Sequence, residues 1–138
     1  ENEIDESIYD AMLLSVDVAH ALHPNKKEKM DITNMPVMGK GFCIKQACSQ
    51  SYATDAQAIA ILCQLCDEKG IPYQRFVNRS DSRGGSTLGS IAGTLLPVKT
   101  VDIGIPILAM HSACELMGVR DMKALSDCVT AFFGYLGK

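Results

Sequence analysis

One carboxylate and two imidazole side chains fall within seven residues near the start of the chain: Asp17, His20 and His23. An apolar run that begins at Ala11 leads into them, and such polar groups are costly to bury without partners. They are the side chains that a metal site or a catalytic site uses. A capped turn after a strand explains the same residues equally well. His20 and His23 could share a helical face, but H-x-x-H is not the H-E-x-x-H pattern and Pro24 would cut the helix short.

The third histidine, His111, follows the apolar residues 107–110. A single histidine in such a setting is more typical of a hydrogen-bonded core residue than of a ligand, unless the fold brings it to Asp17. Lys45 and Tyr52 lie on either side of a short predicted loop, and each can donate a hydrogen bond to an anionic group. Neither residue type defines a site by itself.

A loop rich in glycine and serine, residues 81–87, precedes a predicted helix. Backbone amides at such a helix start can bind an anion or a carboxylate. The loop lacks the G-K-[ST] of a Walker motif, and the chain has no G-x-G-x-x-G. A flexible turn with a Ser or Thr cap fits the same residues, so the loop alone favours neither interpretation.

Cys63 and Cys66 form a C-x-x-C pair, which suits redox chemistry or metal binding when it lies at a helix N-terminus. Here Cys63 comes nine residues after Thr54, where the helix is predicted to start, and both thiols fall on its apolar face. We therefore expect core thiols. All six cysteines lie in apolar segments and no secretion signal is visible, which predicts reduced, buried thiols in a cytoplasmic protein.

The composition predicts one domain, or a piece of a larger one, with an ordinary core: 138 residues, 47% hydrophobic and 21% charged. The net charge of −3 gives no basic footprint for nucleic acid. No apolar run reaches the roughly 18 residues of a membrane span, so none is predicted.

Strands that alternate with helices must position these groups, and they predict an α/β layer architecture. Ligands of such sheets bind beyond the carboxyl ends of strands, where Asp17, the loop 81–87 and His111 are all expected. The strand that carries Asp17, residues 11–18, is predicted to be central in the sheet.

The periodicity of the remaining segments predicts the other elements. A helix is expected to open on a capping box of Thr54 and Gln57 and to end at Gly70. The rest are an N-terminal helix, strands at 42–45, 73–77 and 100–103, and helices at 88–95 and 120–135.

Six short motifs resemble the aspartyl aminopeptidase family in their order and spacing, and together they cover nearly all of residues 8–133. The resemblance implies a three-layer αβα zinc-peptidase-like domain whose two zinc ions serve to remove N-terminal residues from peptides. The motifs are S-V-D-V-A-H-A-L-H-P-N at 15–25, G-F-C-I-K at 41–45, S-Y-A-T-D at 51–55, G-G-S-T-L-G at 84–89, V-D-I-G-I-P at 101–106 and A-M-H-S at 109–112.

The resemblance also implies roles, residue by residue. The matched residues are of three kinds: metal ligands, groups that contact the substrate, and a histidine with a structural role beside the ligands. Ser51 and Cys114 stand where the family has arginines, so a preference for acidic N-terminal residues stays open. The implied metal ligands are Asp17 and His111. The residues implied to contact the substrate are His20, Lys45, Tyr52, Gly85 and Ser86. The histidine with the implied structural role is His23.

Much of the family's unit has no match in this chain. The unmatched parts are an N-terminal His, a bridging Asp, a Glu-Glu pair that supplies a ligand and the general base, and a small domain used in assembly. We therefore expect residues 1–138 to be the C-terminal portion of a catalytic domain, inactive by itself because catalytic zinc needs three protein ligands. The intact family implies a large closed homo-oligomer. The alternative is a non-catalytic fragment, or an assembly or binding module of the same fold.

Overall fold

The computed structural model describes residues 2–135, in which helices alternate with the strands of one mixed sheet. The elements are α1 (Asn2–Asp10), β1 (Met12–His20), a 3₁₀ turn (Lys27–Lys29), β2 (Phe42–Gln46), α2 (Ala56–Lys69), β3 (Tyr73–Val77), α3 (Leu88–Leu95), β4 (Lys99–Leu108), β5 (Leu116–Met117) and α4 (Val119–Phe133).

The strand order is β1-β4-β2-β3, with β5 paired to the end of β4. β1 and β4 are parallel, β2 and β3 are parallel, and β2 is antiparallel to β4. The carboxyl ends of β1 and β4 therefore lie at one end of the sheet, and those of β2 and β3 lie at the other. The loop 81–87 leaves from the second end, contrary to expectation, because it follows β3.

Helices cover both faces of this sheet, which confirms the predicted three-layer αβα architecture. Asp102 contacts the residue before α3, whereas its neighbours Val101 and Ile103 join the main core, because successive strand residues face opposite sides. The main core lies under α2 and α4. Its fully buried members include Phe42, Ile44, Val101 and Ile103 from the sheet and Leu62, Cys66 and Cys128 from the helices.

Helix α2 begins one residue later than predicted, and its cap is different. Asp55 is the N-cap, and its carboxylate accepts a hydrogen bond from the Ala58 amide at 2.8 Å. The Thr54 hydroxyl instead accepts the Ala47 amide at 3.1 Å, so the capping box with Gln57 is wrong. Gly70 ends the helix as predicted, in the left-handed region at φ 65°.

Both strands that carry the candidate ligands differ from expectation. β1 extends to His20, and among the described residues it lies at the edge of the sheet. β4 continues through Gly104 and Pro106, beyond the predicted end at residue 103. Proline is tolerated there because the pairing with β2 stops at Gly104, so no amide is needed on that side.

Candidate functional site

A buried lysine is at the centre of the candidate site. Lys45 belongs to strand β2, whose first four residues are buried, and its side chain is 4% exposed. Its Nζ lies 3.3 Å from Oδ2 of Asp17 and donates to the Val18 carbonyl at 3.0 Å. It also lies 4.5 Å from the centre of the Tyr52 ring. The fold thus brings together three of the predicted site residues, which are separated by up to 35 positions in the sequence.

Asp17 presents its carboxylate to this lysine and to solvent, since its side chain is 49% exposed. The β1–β4 register places Asp17 beside Gly104, and the β2–β4 register places Cys43 beside the same glycine. A Cβ at residue 104 would lie only 2.7 Å from the Val18 carbonyl carbon, so this close approach of β1 and β4 requires glycine.

Tyr52 is buried beneath Lys45, and its position is fixed by two neighbours. Its hydroxyl accepts a hydrogen bond from Asn78 Nδ2 at 3.0 Å, and the centroid of its ring lies 6.2 Å from that of the Phe76 ring. The predicted glycine-rich loop runs against this pair, because a Cβ on Gly84 would lie 3.5 Å from the tyrosine hydroxyl. The loop therefore reaches the site over a face of the sheet.

The two loop residues expected to contact substrate are both exposed. Gly85 has open space where a side chain would be. Ser86 lines the same groove as Asp17, between β1 and α3. The structure thus places Ser86 and the candidate metal ligand along one groove.

Asp102 holds in place the two segments that carry Tyr52 and Ser86, and the sequence reasoning missed it. It is fully buried, and its Oδ2 accepts the Ala53 amide at 2.5 Å and the Thr87 hydroxyl at 2.6 Å. These partners directly follow Tyr52 and Ser86. Its Oδ1 has no hydrogen-bond partner within the described residues. A charged residue inside an apolar strand was the available sequence feature, since burial of an acid needs partners.

His20 and His111 lie at the shared carboxyl end of β1 and β4. Although His20 is exposed at the end of β1, partial desolvation lowers the pKa of its imidazole below the ordinary value of 6.5, and the nearby charges of His111 and then Lys45 lower it further. His111 is exposed, with a backbone φ of 68°, and its amide donates to Glu115 Oε1 at 2.6 Å. The core interpretation of His111 is therefore wrong.

His20 and His23 do not share a helical face. His20 is the last residue of β1, and His23 lies in the following turn, where its Nδ1 accepts the Asn25 amide at 3.1 Å. This contact is compatible with the structural role predicted for His23. The chain turns away here because the amide of Leu22 is held by the carbonyl of Pro36 at 2.7 Å.

The chemistry of Asp17 and His111 fits zinc, but their number does not. Carboxylate oxygen and imidazole nitrogen are both common zinc ligands, and both side chains are exposed. Within residues 2–135, however, no group of three or more His, Cys, Asp and Glu side chains is placed to hold a metal. Further ligands are needed to complete such a site.

The cysteines take no part in this site. All six are free thiols, as predicted, and Cys66 packs in the core with its sulfur 3.8 Å from that of Cys128. Cys63 is only partly buried, while Cys48 and Cys114 are exposed, so the prediction of six buried thiols is wrong for these three. Burial of Cys43 raises its pKa to about 12.

The mixed sheet with helices on both faces defines the class of fold as an αβα domain. The family model described as "Aminopeptidase I zinc metalloprotease (M18)" matches residues 1–133, and the chain belongs to this M18 family.

No helix within residues 2–135 combines the length and apolar character of a membrane span.

Three similar proteins support the assignment. The "Probable M18 family aminopeptidase 2" of Clostridium novyi is 53% identical over 111 residues, which cover 80% of this chain and 26% of the relative. A chain of the Ape4 and Nbr1 complex superimposes with a TM-score of 0.86 and 36% identity, covering 88% of this chain and 23% of its own length. The S. cerevisiae mApe1 dodecamer gives a TM-score of 0.78 and 25% identity, with 92% and 27% covered.

This chain is much shorter than its curated relatives. It spans 26% of the Clostridium novyi protein and 31% of a Stutzerimonas stutzeri protein that bears the same name. The matched part of each relative is therefore less than a third of the whole.

Proposed function

We propose that this chain supplies one wall of a two-zinc aminopeptidase site, in which Asp17 binds one zinc ion and His111 the other. The observation that carries the proposal is the placement of Asp17, His20 and His111 toward the shared carboxyl end of β1 and β4, in a chain that the M18 family model matches. The general-base glutamate and the other ligands belong to the part of the family's unit that this chain does not match.

Bound zinc would supply a Lewis acid and an activated water. The chain's own residues bind and orient the peptide. Lys45 is a buried cation held by the Val18 carbonyl and the Tyr52 ring, so it can pair with a carboxylate of the substrate. His20 has a lowered pKa and is neutral at neutral pH, which leaves one ring N–H to donate to a substrate oxygen. Gly85 and Ser86 border the path of the peptide.

Three broader features belong to the same proposal. The substrate is a peptide, without nucleic acid or membrane as a partner. The intact protein is a homo-oligomer, which agrees with the dodecamer formed by S. cerevisiae mApe1. A cytoplasmic location stays a prediction.

A chimera tests the proposal with this chain's own residues. In the Clostridium novyi relative, the segment that matches this chain is replaced by this chain, and zinc content and aminopeptidase turnover are measured. Asp17→Ala and His111→Ala should each lower zinc content and reduce turnover by at least about 100-fold, since loss of a metal ligand removes the ion that activates water. Asp127→Ala, an exposed acid on α4, is the matched control. Turnover with full zinc content in Asp17→Ala would contradict the assignment.

A non-catalytic assembly or binding module is the second candidate. It is favoured by the lack of a three-ligand metal group among the described residues. Metal analysis and an aminopeptidase assay of the 138-residue chain by itself distinguish a chain that binds zinc and hydrolyses peptides from a non-catalytic module. Tightly held zinc together with hydrolysis would contradict our expectation that this chain is inactive alone.

A further inference from the structure

Asp102 and Ala53 are joined by two hydrogen bonds, one in each direction. The Asp102 amide donates to the Ala53 carbonyl at 3.4 Å, and the Ala53 amide donates to Asp102 Oδ2 at 2.5 Å. On the other side of Tyr52, the carbonyl of Ser51 accepts the amide of Thr87 at 3.3 Å. Both residues that flank Tyr52 are therefore held by another segment of the chain, which fixes the backbone that carries the tyrosine ring.

Thr87 closes these contacts into one network. Its hydroxyl donates to Asp102 Oδ2 at 2.6 Å, while its amide binds the residue before Tyr52. Thr87 is buried, although the loop residues 81–86 that precede it are all exposed. A buried anchor at the end of an exposed loop fixes where the loop ends, so Thr87 fixes the place of Ser86.

The same carboxylate packs against β1 and the first turn of α3. Ser15 of β1 is paired with Asp102 in the β1–β4 register, and its Oγ accepts the Gly89 amide at 3.1 Å. A Cβ on Gly89 would lie 2.8 Å from Oδ1 and 2.9 Å from Oδ2 of Asp102, so the helix backbone lies directly on the carboxylate. The positive end of the helix dipole favours a negative charge at this turn. This explains how Oδ1 is tolerated in the interior without a hydrogen-bond partner among the described residues.

Tyr52 connects this network to the candidate site. Lys45 lies opposite Asp102 in the β2–β4 register, so both side chains leave the same face of the sheet. The lysine Nζ lies 4.5 Å from the centre of the Tyr52 ring and 3.3 Å from Asp17 Oδ2. A shift of the tyrosine would therefore disturb the position of this buried cation.

We propose that Asp102 is the positioning residue for the substrate-binding groups of this chain. Its carboxylate fixes the segments that carry Tyr52 and Ser86, and the Tyr52 ring in turn fixes the ammonium group of Lys45. The proposal rests on the proposed function for the roles of these three residues. Asp102 acts through them and takes no part in the chemistry, so its loss should impair peptide binding and turnover while zinc stays bound.

Kinetics of the chimera described above test the proposal through two variants of Asp102. Asp102→Ala should lower kcat/KM by at least about 10-fold with zinc content unchanged, because misplaced binding groups cost rate. Asp102→Asn keeps an oxygen that can accept both the Ala53 amide and the Thr87 hydroxyl, so kcat/KM should stay within about 3-fold of the wild type. An Asn variant as impaired as the Ala variant, or an Ala variant with wild-type kcat/KM, would overturn the proposal.

Asp121→Ala is the matched control for lost stability. Asp121 is also fully buried, and its carboxylate accepts two backbone amides, but it lies on α4 and holds the loop before β2. Its replacement should change kcat/KM of the folded chimera by less than about 3-fold, because distant sites act independently. Equal losses of kcat/KM in Asp121→Ala and Asp102→Ala would assign the effect to general destabilisation and overturn the proposal.

Thr87 provides a milder pair of variants, which decides the question even if Asp102→Ala does not fold. Thr87→Val removes the hydroxyl that bonds to Asp102 and keeps the side-chain shape, whereas Thr87→Ser keeps the hydroxyl. Thr87→Val should raise KM by at least about 5-fold with a smaller change in kcat, because the loop that carries Ser86 binds the peptide less well. Equal KM values for the two variants would contradict the positioning role.

Hydrogen exchange separates this inference from the proposed function. The Ala53 amide should exchange at least about 10-fold faster in Asp102→Ala than in Asp102→Asn, because only the Asn variant keeps its acceptor. Equal exchange of this amide in the two variants would overturn the anchoring by Asp102. A wild-type chimera without turnover would instead count against the proposed function, and the exchange of the Ala53 amide would still decide whether Asp102 anchors the segment of Tyr52.

Discussion

The ammonium group of Lys45 lies 3.3 Å from the Asp17 carboxylate, and only the lysine is buried. The two residues come from strands on opposite sides of β4. The pair is therefore asymmetric: withdrawal of the lysine from water costs free energy, whereas its partner keeps much of its hydration. Such an arrangement is poor for stability and suits a site in which an anionic group is to be bound.

We predict that Lys45→Met changes the free energy of unfolding by less than about 1 kcal/mol. The lost ion pair and the lost hydrogen bond to the Val18 carbonyl are offset by the relief of the lysine's desolvation, and half-exposed Asp17 is not left as a buried charge. Urea denaturation measures the change. Ile44→Ala, at the neighbouring fully buried position, is the reference and should cost about 2–5 kcal/mol. A loss above about 2 kcal/mol for Lys45→Met would show that the pair is a structural requirement.

The lowered pKa of His20 predicts a pH dependence. Since protonation of His20 is harder in the folded state, its contribution to stability is fully present above the ordinary pKa of 6.5 and is lost as the pH falls through the folded value. Lys45→Met should raise this folded pKa, because it removes a positive charge, while partial desolvation and the charge of His111 still keep the pKa lowered. An NMR titration of the imidazole measures both values. Lys123→Met, at an exposed lysine on α4, should leave the pKa unchanged. A titration of wild-type His20 above 6.5 would contradict the prediction.

A buried acid on α4 is predicted to hold the loop before β2. The carboxylate of Asp121 is fully buried and accepts the amides of Gly39 at 2.6 Å and Gly41 at 2.7 Å. Asp121→Ala leaves both amides unpaired and should cost about 2–4 kcal/mol in a urea denaturation. Asp127→Ala, on the same helix, removes only an exposed ion pair with Lys123 and should cost less than about 0.5 kcal/mol. Equal costs for the two variants would contradict this account.

The sequence predicted the helices and strands well where periodicity is strong, as in α2 and α3. It failed where a long-range contact decides the outcome. The cap of α2 moved to Asp55 because Thr54 bonds to Ala47, and no local rule contains that contact. The antiparallel direction of β2 and β3 relative to β4 could not be predicted either, since alternating strands and helices are compatible with both parallel and mixed sheets.

The candidate site was predicted only in part, for a similar reason. Resemblance supplied Lys45 and Tyr52, but the contact of Lys45 with Asp17 depends on the order of β1, β4 and β2. Asp102 was missed as a residue that positions two loops, because its partners lie 49 and 15 residues away in the sequence. The central position predicted for β1 is not found among the described residues, where β1 pairs only with β4.

The cysteines are predicted to react in two groups. Exposed Cys48 and Cys114 should be labelled rapidly by a thiol reagent in the folded state. Cys43, Cys66 and Cys128 should react only after unfolding, since burial keeps them from the reagent and raises the pKa of Cys43 to about 12.

Replacing Cys48 and Cys114 together by serine should remove the two rapidly reacting equivalents. Mass spectrometry of the labelled protein locates the modified residues in the wild type. Rapid labelling of both Cys63 and Cys66 in the folded protein would instead support the redox interpretation of the C-x-x-C pair.

Two glycines of α3 are predicted to respond to alanine with opposite signs. A Cβ on Gly89 would lie 2.7 Å from Ser15 Cβ and within 2.9 Å of both Asp102 oxygens, whereas nothing lies within 4 Å of a Cβ on Gly93. Both changes gain the helix propensity of alanine, about 0.5–1 kcal/mol, so Gly93→Ala should stabilise by that amount. Gly89→Ala should destabilise by about 1–3 kcal/mol, because the steric cost exceeds the gain and pushes α3 away from β1. Urea denaturation of the two variants provides the comparison. If Gly89→Ala is as stable as Gly93→Ala, the close packing of α3 on Ser15 and Asp102 is not a property of the protein in solution.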